Sequence, residues 1–388
     1  MADRIIYPAQ RAIEHAVTVP GIRPARLFPV LWPLWQVETA AQVFDEQAYE
    51  VLDRFLVRGI REAGLLRSTD LATFYGLPAS LVERCLAFLS LIGHVRHADG
   101  LVMLTPLGES SAQADIRYVP KESRQQILVE RFTARPLPRS HYQGSLRLLP
   151  TPDVPIGQVS DGSRFAPLFS PSAFRPEIVT QLGERPDRFD FNLPKQLRDL
   201  RVLGHQDAYL PAYLIEDADG GLLAYSGVRG EQDAFLESLC QRVPIVRSLI
   251  AAEQSPDPRE IWTNWLADGR RRGTLRQLPS GVWRATLATD SFGARPKLPF
   301  SRIGSYQLRK QHFVQIWTDD AELRRQAALR RALAMAQLSE VRTRADLANR
   351  MRTVAEQLEV TTPTLDELHR YAKKEQLQAY LVHFDVLE

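Results

Sequence analysis

Residues 46–105 limit what this chain can fold into more than any other stretch. Tyr49, Leu52, Phe55, Leu56 and Ile60 recur at helical spacing and give one apolar stripe over 46–63. Gly64 stands where such a helix stops. Ser68 offers a side-chain cap to a short second helix over 69–75. Gly76-Leu77-Pro78 then makes a turn, with the proline placed to open a third helix over 78–92. Leu81, Val82, Cys85, Leu86, Leu89 and Ile92 form its apolar face, and Gly93 closes it. Two short strands follow on either side of Asp99-Gly100, a pair that tolerates the positive φ angles of a tight hairpin. Thr105-Pro106 opens a further helix.

Three helices and a hairpin, ending in LIGHVRHADGLVMLTPLGES over 91–110, resemble the winged helix-turn-helix of bacterial regulators of the MarR and ArsR type. The resemblance is confined to residues 46–105. It implies a third helix laid in the major groove of double-stranded DNA, with Ser80, Glu83 and Arg84 near the bases. Arg96 and His97 would lie on the wing against phosphate or the minor groove. The solvent face of the third helix is expected to carry Ala79, Ser80, Glu83, Arg84, Ala87 and Ser90. One arginine and one glutamate make a thin set for phosphate or guanine contact. Winged helices also serve as protein–protein modules, so a partner surface stands beside the DNA reading.

Composition narrows the classes further. A chain of 388 residues predicts two or three domains, and 44% hydrophobic residues can bury a sizeable core. The net charge of +3 does not suggest a protein coated in nucleic acid. Six of the 49 basic residues are lysine and 43 are arginine, a skew that a GC-rich genome produces without any function. Two cysteines, Cys85 and Cys240, allow neither a disulfide framework nor a cysteine-based zinc site and fit a reducing cytoplasm. No signal peptide is evident, and prolines break the apolar run 27–37, so no membrane association is expected.

The chain divides, on sequence alone, into an N-terminal extension (1–45), the winged helix (46–118), a helix and irregular linker (119–175), an α+β domain (176–320) and C-terminal helices (321–388). The fold class is α+β, with a mixed or antiparallel sheet in the second domain and a helical C-terminus. Ile5-Ile6-Tyr7 and 16–19 read as short strands, 107–136 as helix, and 303–317 as one strand. Trp32 and Trp35 predict docking against a neighbour, or an exposed aromatic patch. Thr364 and Glu367 have capping-box spacing.

Chemistry-bearing motifs are mostly absent. The chain has no phosphate-binding loop, dinucleotide fingerprint, His-Glu-x-x-His or nucleophile elbow. No catalytic residue, metal site or cofactor is assigned. Carboxylates cluster at Asp187/Asp190, Asp217/Asp219 and Asp319/Asp320, where turns and helix caps use them as well as a metal would. Arg270-Arg271-Arg272 sits between glycines with Arg276 close behind, while Arg295, Lys297, Arg302, Arg309, Lys310 and His312 interleave with Phe292, Phe300, Tyr306 and Phe313. Of these, Arg271, Arg272, Arg302, Arg309 and Lys310 are candidate phosphate ligands. Alternation along 303–317 equally predicts an ordinary sheet face with arginines outward.

Three functions follow as expectations. One is a non-catalytic DNA-binding protein, a transcription regulator or an accessory subunit of a bacterial DNA-processing or phage-defence complex. Another is a structural subunit whose winged helix binds a protein partner or a second copy of the chain. The third is a metal-dependent nuclease-like enzyme.

Overall fold

The computed structural model describes residues 6–143, 146–155, 159, 163–228, 232–253, 256–294, 297–335, 341 and 343–383. Its helices are α1 (Ala9–Thr18), α2 (Val51–Ala63), α3 (Ser68–Tyr75), α4 (Ala79–Leu91), α5 (Pro106–Ala114), α6 (Glu177–Glu184), α7 (Ala234–Cys240), α8 (Pro244–Ala252), α9 (Pro258–Asp268), α10 (Ala321–Met335), α11 (Arg344–Gln357) and α12 (Leu365–Lys374). Its strands are β1 (Pro24–Gln47), β2 (Val95–Ala98), β3 (Leu101–Leu104), β4 (Arg117–Glu130), β5 (Ala166–Pro167), β6 (Arg198–Asp217), β7 (Leu222–Tyr225), β8 (Gly273–Gln277), β9 (Trp283–Leu287), β10 (Tyr306–Arg309) and β11 (His312–Trp317). Among the described residues no helix is long and apolar enough to cross a membrane.

Contacts gather these elements into two units, each discontinuous in sequence, rather than five consecutive segments. One unit comprises Leu34–Tyr142 and Ser170–Ala208. In it, Leu34–Gln47 of β1 pair antiparallel with β4, in a register running from Leu34↔Glu130 to Gln47↔Arg117. The helices α2 to α5 and the β2–β3 hairpin lie between these two strands in sequence. Trp35, Val37, Ile127 and Val129 pack with Val179 and Leu182 of α6.

The other unit comprises Met1–Pro33, Gln143–Phe169 and Tyr209–Glu388. It holds a four-stranded mixed sheet in the order β10-β11-β9-β8, antiparallel except for β11 on β9. Trp262 and Trp265 of α9 cover that sheet, with Trp317 at the end of β11. Ala9, Ala12, Ile13 and Ala16 of α1 pack with Tyr213 and Ile215 of β6 and Tyr225 of β7. The helices α10, α11 and α12 form a cluster of their own around Leu333, Leu347 and Leu368.

Several expectations give way. The N-terminal 45 residues are no appendage, because β1 supplies residues to both units. Trp32 and Trp35 are buried within β1, which is covered on both faces, so neither forms a surface patch. Residues 16–19 complete and cap a helix, because Ala9, Ala12, Ile13 and Ala16 repeat at helical spacing. Ile5 lies outside the described residues, and Ile6-Tyr7 precede α1 without forming a strand. Helix over 107–136 ends at Ala114, where Asp115 takes a left-handed conformation (φ +54), and β4 follows because β1 offers it a ladder. The single strand over 303–317 is a hairpin: Lys310 and Gln311 both have positive φ, +48 and +62, and turn β10 into β11. Within the stretch expected to form C-terminal helices, residues 336–340 and 384–388 lie outside the described residues. The capping box is present, with Thr364 Oγ1 accepting from the Glu367 amide at 3.3 Å and Glu367 accepting from the Thr364 amide at 2.9 Å.

Candidate nucleic-acid interface

The three helices α2, α3 and α4 enclose a core of Leu56, Val57, Ile60, Leu71, Val82, Leu86 and Leu89, joined by Val95 and Val102 of the hairpin. Gly64 and Gly76 end α2 and α3 in the left-handed region, at φ +64 and +63. Asp99 and Gly100, at φ +54 and +76, form the two-residue turn of β2–β3. At the far side of the hairpin Thr105 caps α5, its Oγ1 accepting from the Gly108 amide at 3.1 Å and donating to the Gly93 carbonyl at 2.5 Å.

Ser80, Glu83 and Arg84 are exposed and share one face of α4, with Ala87 a turn further on. Arg96 and His97 are also exposed, but they are neighbours on β2 and therefore point to opposite faces of the hairpin. Arg96 stands opposite Met103, with its Nη2 3.9 Å from the sulfur, and His97 stands opposite the buried Val102. The wing pair is therefore divided between the two faces of the hairpin.

Charge is distributed unevenly over these helices. On α2, Arg54, Arg58 and Arg61 pair with Asp115, Glu62 and Glu109 at 3.0–3.2 Å. Among the described residues Arg67, Arg84 and Arg96 enter no ion pair. Arg67 is exposed at the N-cap position of α3; Ser68, expected to cap this helix, is instead its first residue, and no side-chain cap bond forms there. Large exposed apolar side chains also concentrate here: Val51, Phe55, Phe74, Phe88 and Leu91 are five of the nine found among the described residues. Leu91, at 83% exposure, lies outside the stripe that builds the core.

Behind α4, His94 is fully buried. Its Nε2–H donates to the Tyr118 carbonyl at 2.8 Å, so Nδ1 accepts from the Tyr49 hydroxyl at 3.1 Å. Burial holds the imidazole below its ordinary titration range and pushes the Tyr49 phenol up to about 12. Because the folded value is depressed, unfolded chains bind the proton more tightly. The contribution is whole above the ordinary imidazole range and is lost as pH falls through it. Melting of the wild-type protein should therefore drop more steeply between pH 7 and pH 5 than melting of His94→Gln, and parallel curves would show that His94 does not carry the effect.

The second candidate set does not converge. Arg302 is turned inward, its Nη2 donating to Gln307 Oε1 at 2.8 Å, and burial lowers its pKa. Arg309 pairs with Asp268 at 3.0 Å. Lys310 is exposed at the β10–β11 turn. Arg271 and Arg272 instead join Arg270 and Lys297 around a cleft of about 260 Å³. Arg295 lies outside the described residues.

The acidic clusters have local duties. Asp187 pairs with Arg185, Asp217 accepts from the Arg23 amide at 2.6 Å, and Asp320 accepts from the Leu323 amide at the start of α10. Among the described residues no three of His, Cys, Asp and Glu gather so as to hold a metal ion. No protein-family model matches this chain, and no curated protein and no solved structure matches it.

Proposed function

We propose that α2–α5 and the β2–β3 hairpin form a winged helix-turn-helix that binds double-stranded DNA, within a cytoplasmic, non-catalytic regulator or an accessory subunit of a bacterial DNA-processing or phage-defence complex. One observation carries the reading: the arginines without an ion pair in this module, Arg67, Arg84 and Arg96, lie at the start of α3, on α4 and on the hairpin, while those of α2 are paired with carboxylates. Phosphates would take the place of the missing carboxylates. Ser80 and Glu83 flank Arg84 as base-edge contacts, and His97 is a secondary contact because it faces away from Arg96.

Three phosphate contacts give a shallow salt dependence. Affinity should fall about 40-fold between 50 and 200 mM salt, from a slope of about −0.9 per contact. Fluorescence anisotropy with a labelled duplex should show that dependence in the wild-type chain. Arg84→Ala/Arg96→Ala should weaken binding about tenfold or more at low salt and flatten the slope by about two contacts. Arg309→Ala/Lys310→Ala should bind as the wild type does. Unchanged binding in the first pair would remove α4 and the hairpin as the reader.

The exposed Val51, Phe55, Phe74, Phe88 and Leu91 favour a second reading, in which this module docks on a protein. Absence of duplex binding at low salt, together with a co-purifying subunit released by Phe74→Ser/Leu91→Ser, would put that reading first.

A further inference from the structure

We infer that the cleft lined by the end of α9, Asp290, Ser291, Lys297 and Leu298 is a binding site for a small ligand carrying adjoining phosphoryl groups, of the pyrophosphate type. Four cations surround it, Arg270, Arg271, Arg272 and Lys297, against one lining carboxylate, Asp290. Their convergence is imposed by the backbone. At the end of α9 the amides of Gly269, Arg270 and Arg271 turn back onto the carbonyls of Trp265, Ala267 and Leu266. Gly273 then opens β8 so close to β9 that a Cβ there would lie 2.5 Å from the Thr286 carbonyl oxygen. Three consecutive arginines are confined to the reversal between these two fixed points. Arg270 sits at its apex with φ +48, a conformation that an L side chain adopts at a cost and that glycine adopts freely.

Arg271 is set in advance. Its guanidinium lies 4.3 Å over the ring of Trp265, and its Nη1 donates to the Trp265 carbonyl at 2.8 Å. Trp265 is itself packed edge-on against the buried Trp262. A guanidinium locked in this way loses little further freedom when an anion arrives. Burial depresses the Arg271 pKa, partly offset by Asp268, whose carboxylate is paired with Arg309. Helix-capping accounts for Arg271 alone: it adds a second donor to the Trp265 carbonyl, which also accepts from the Gly269 amide at 3.3 Å. Arg272 pairs with the half-exposed Asp290. Arg270 and Lys297 are exposed, and among the described residues neither enters an ion pair.

The shape selects the ligand. Duplex DNA spreads single charges along a rod. Four cations around one hollow of about 260 Å³ suit a ligand that concentrates several charges at one end. The inference stands apart from the DNA reading, since the residues concerned belong to different units.

Calorimetric titration of the full chain with inorganic pyrophosphate tests it, with orthophosphate as the comparison. Saturable binding of one pyrophosphate is expected, with orthophosphate weaker. Arg270→Gln/Lys297→Gln alters two exposed side chains and should weaken binding about tenfold or more. Arg84→Gln/Arg96→Gln should leave it unchanged. Absence of saturable heat up to about 10 mM pyrophosphate, or equal loss in both double variants, would overturn the site and leave only diffuse attraction between a basic surface and an anion.

Discussion

Replacing Gly108 with valine should unfold the helix–hairpin module while leaving the other unit folded. Gly108 is the glycine of the Leu104-Thr105-Pro106-Leu107-Gly108 run, and the structure gives that pattern a physical reason. A Cβ on Gly108 would lie 2.0 Å from the carbonyl oxygen of His94 and 2.9 Å from its carbonyl carbon. Both are backbone atoms, so no side chain can swing aside. The same carbonyl accepts from the Thr105 amide at 2.9 Å, and Thr105 Oγ1 holds the Gly93 carbonyl. Moving α5 away would break this cap and the bonds around the buried His94 together. Overpacking in a relaxed core costs about 1–3 kcal/mol, and a backbone that cannot yield puts Gly108→Val at or beyond the top of that range. Hydrogen exchange resolved along the chain should show protection lost over 51–114 and kept over 283–317. Full protection in both would mean that α5 shifts at little cost, and the close approach would no longer explain the glycine.

Much of that module is legible because its information is local. Helix stripes, left-handed glycines at 64 and 76, and the Asp99-Gly100 turn each act within a few residues. The strands framing it are not legible. β1 and β4 pair across more than sixty intervening residues, and only the partner tells 117–130 that it is a strand. Its sequence, RYVPKESRQQILVE, is polar for most of its length, and its exposure changes from mixed to buried at Ile127. The same limit divides the candidate sites. Exposure of Ser80, Glu83 and Arg84 follows from helical periodicity, which carries the third helix through nearly four turns. Strand alternation along 303–317 puts Arg309 outward, and it is exposed there, but its pairing with Asp268 from another element cannot be read from alternation. Arg302 precedes that stretch and sits in a short 3-10 turn over 300–302. Lys297 and Arg270 become neighbours only through the fold.

Trp317→Ala should be among the most costly single truncations in the unit that holds β8 to β11. The indole ends β11 at 2% exposure, among Trp262, Ile316 and Val354. Two guanidiniums rest on it, Arg284 at 4.0 Å and Arg324 at 5.0 Å from the ring centre. Arg284 is itself buried at 8% exposure, and its Nε donates to Gln315 Oε1 at 2.7 Å. Truncation of a buried tryptophan costs about 3–5 kcal/mol through lost transfer energy and the cavity left behind. Here it also strips the aromatic face from two partly desolvated cations, worth about 1–2 kcal/mol each when water is excluded. Trp317→Phe keeps a ring beneath both guanidiniums and should lose much less than Trp317→Ala. Intrinsic fluorescence during urea unfolding reads the right unit, because Trp32, Trp262, Trp265, Trp283 and Trp317 all belong to it and only Trp35 does not. A loss below about 1 kcal/mol for the alanine variant would contradict a cavity at this position. Equal losses for alanine and phenylalanine would show that the two arginines draw nothing from the ring, and would leave their burial to Gln315 and the Glu359 carboxylate, 3.4 Å from Arg284 and 3.7 Å from Arg324.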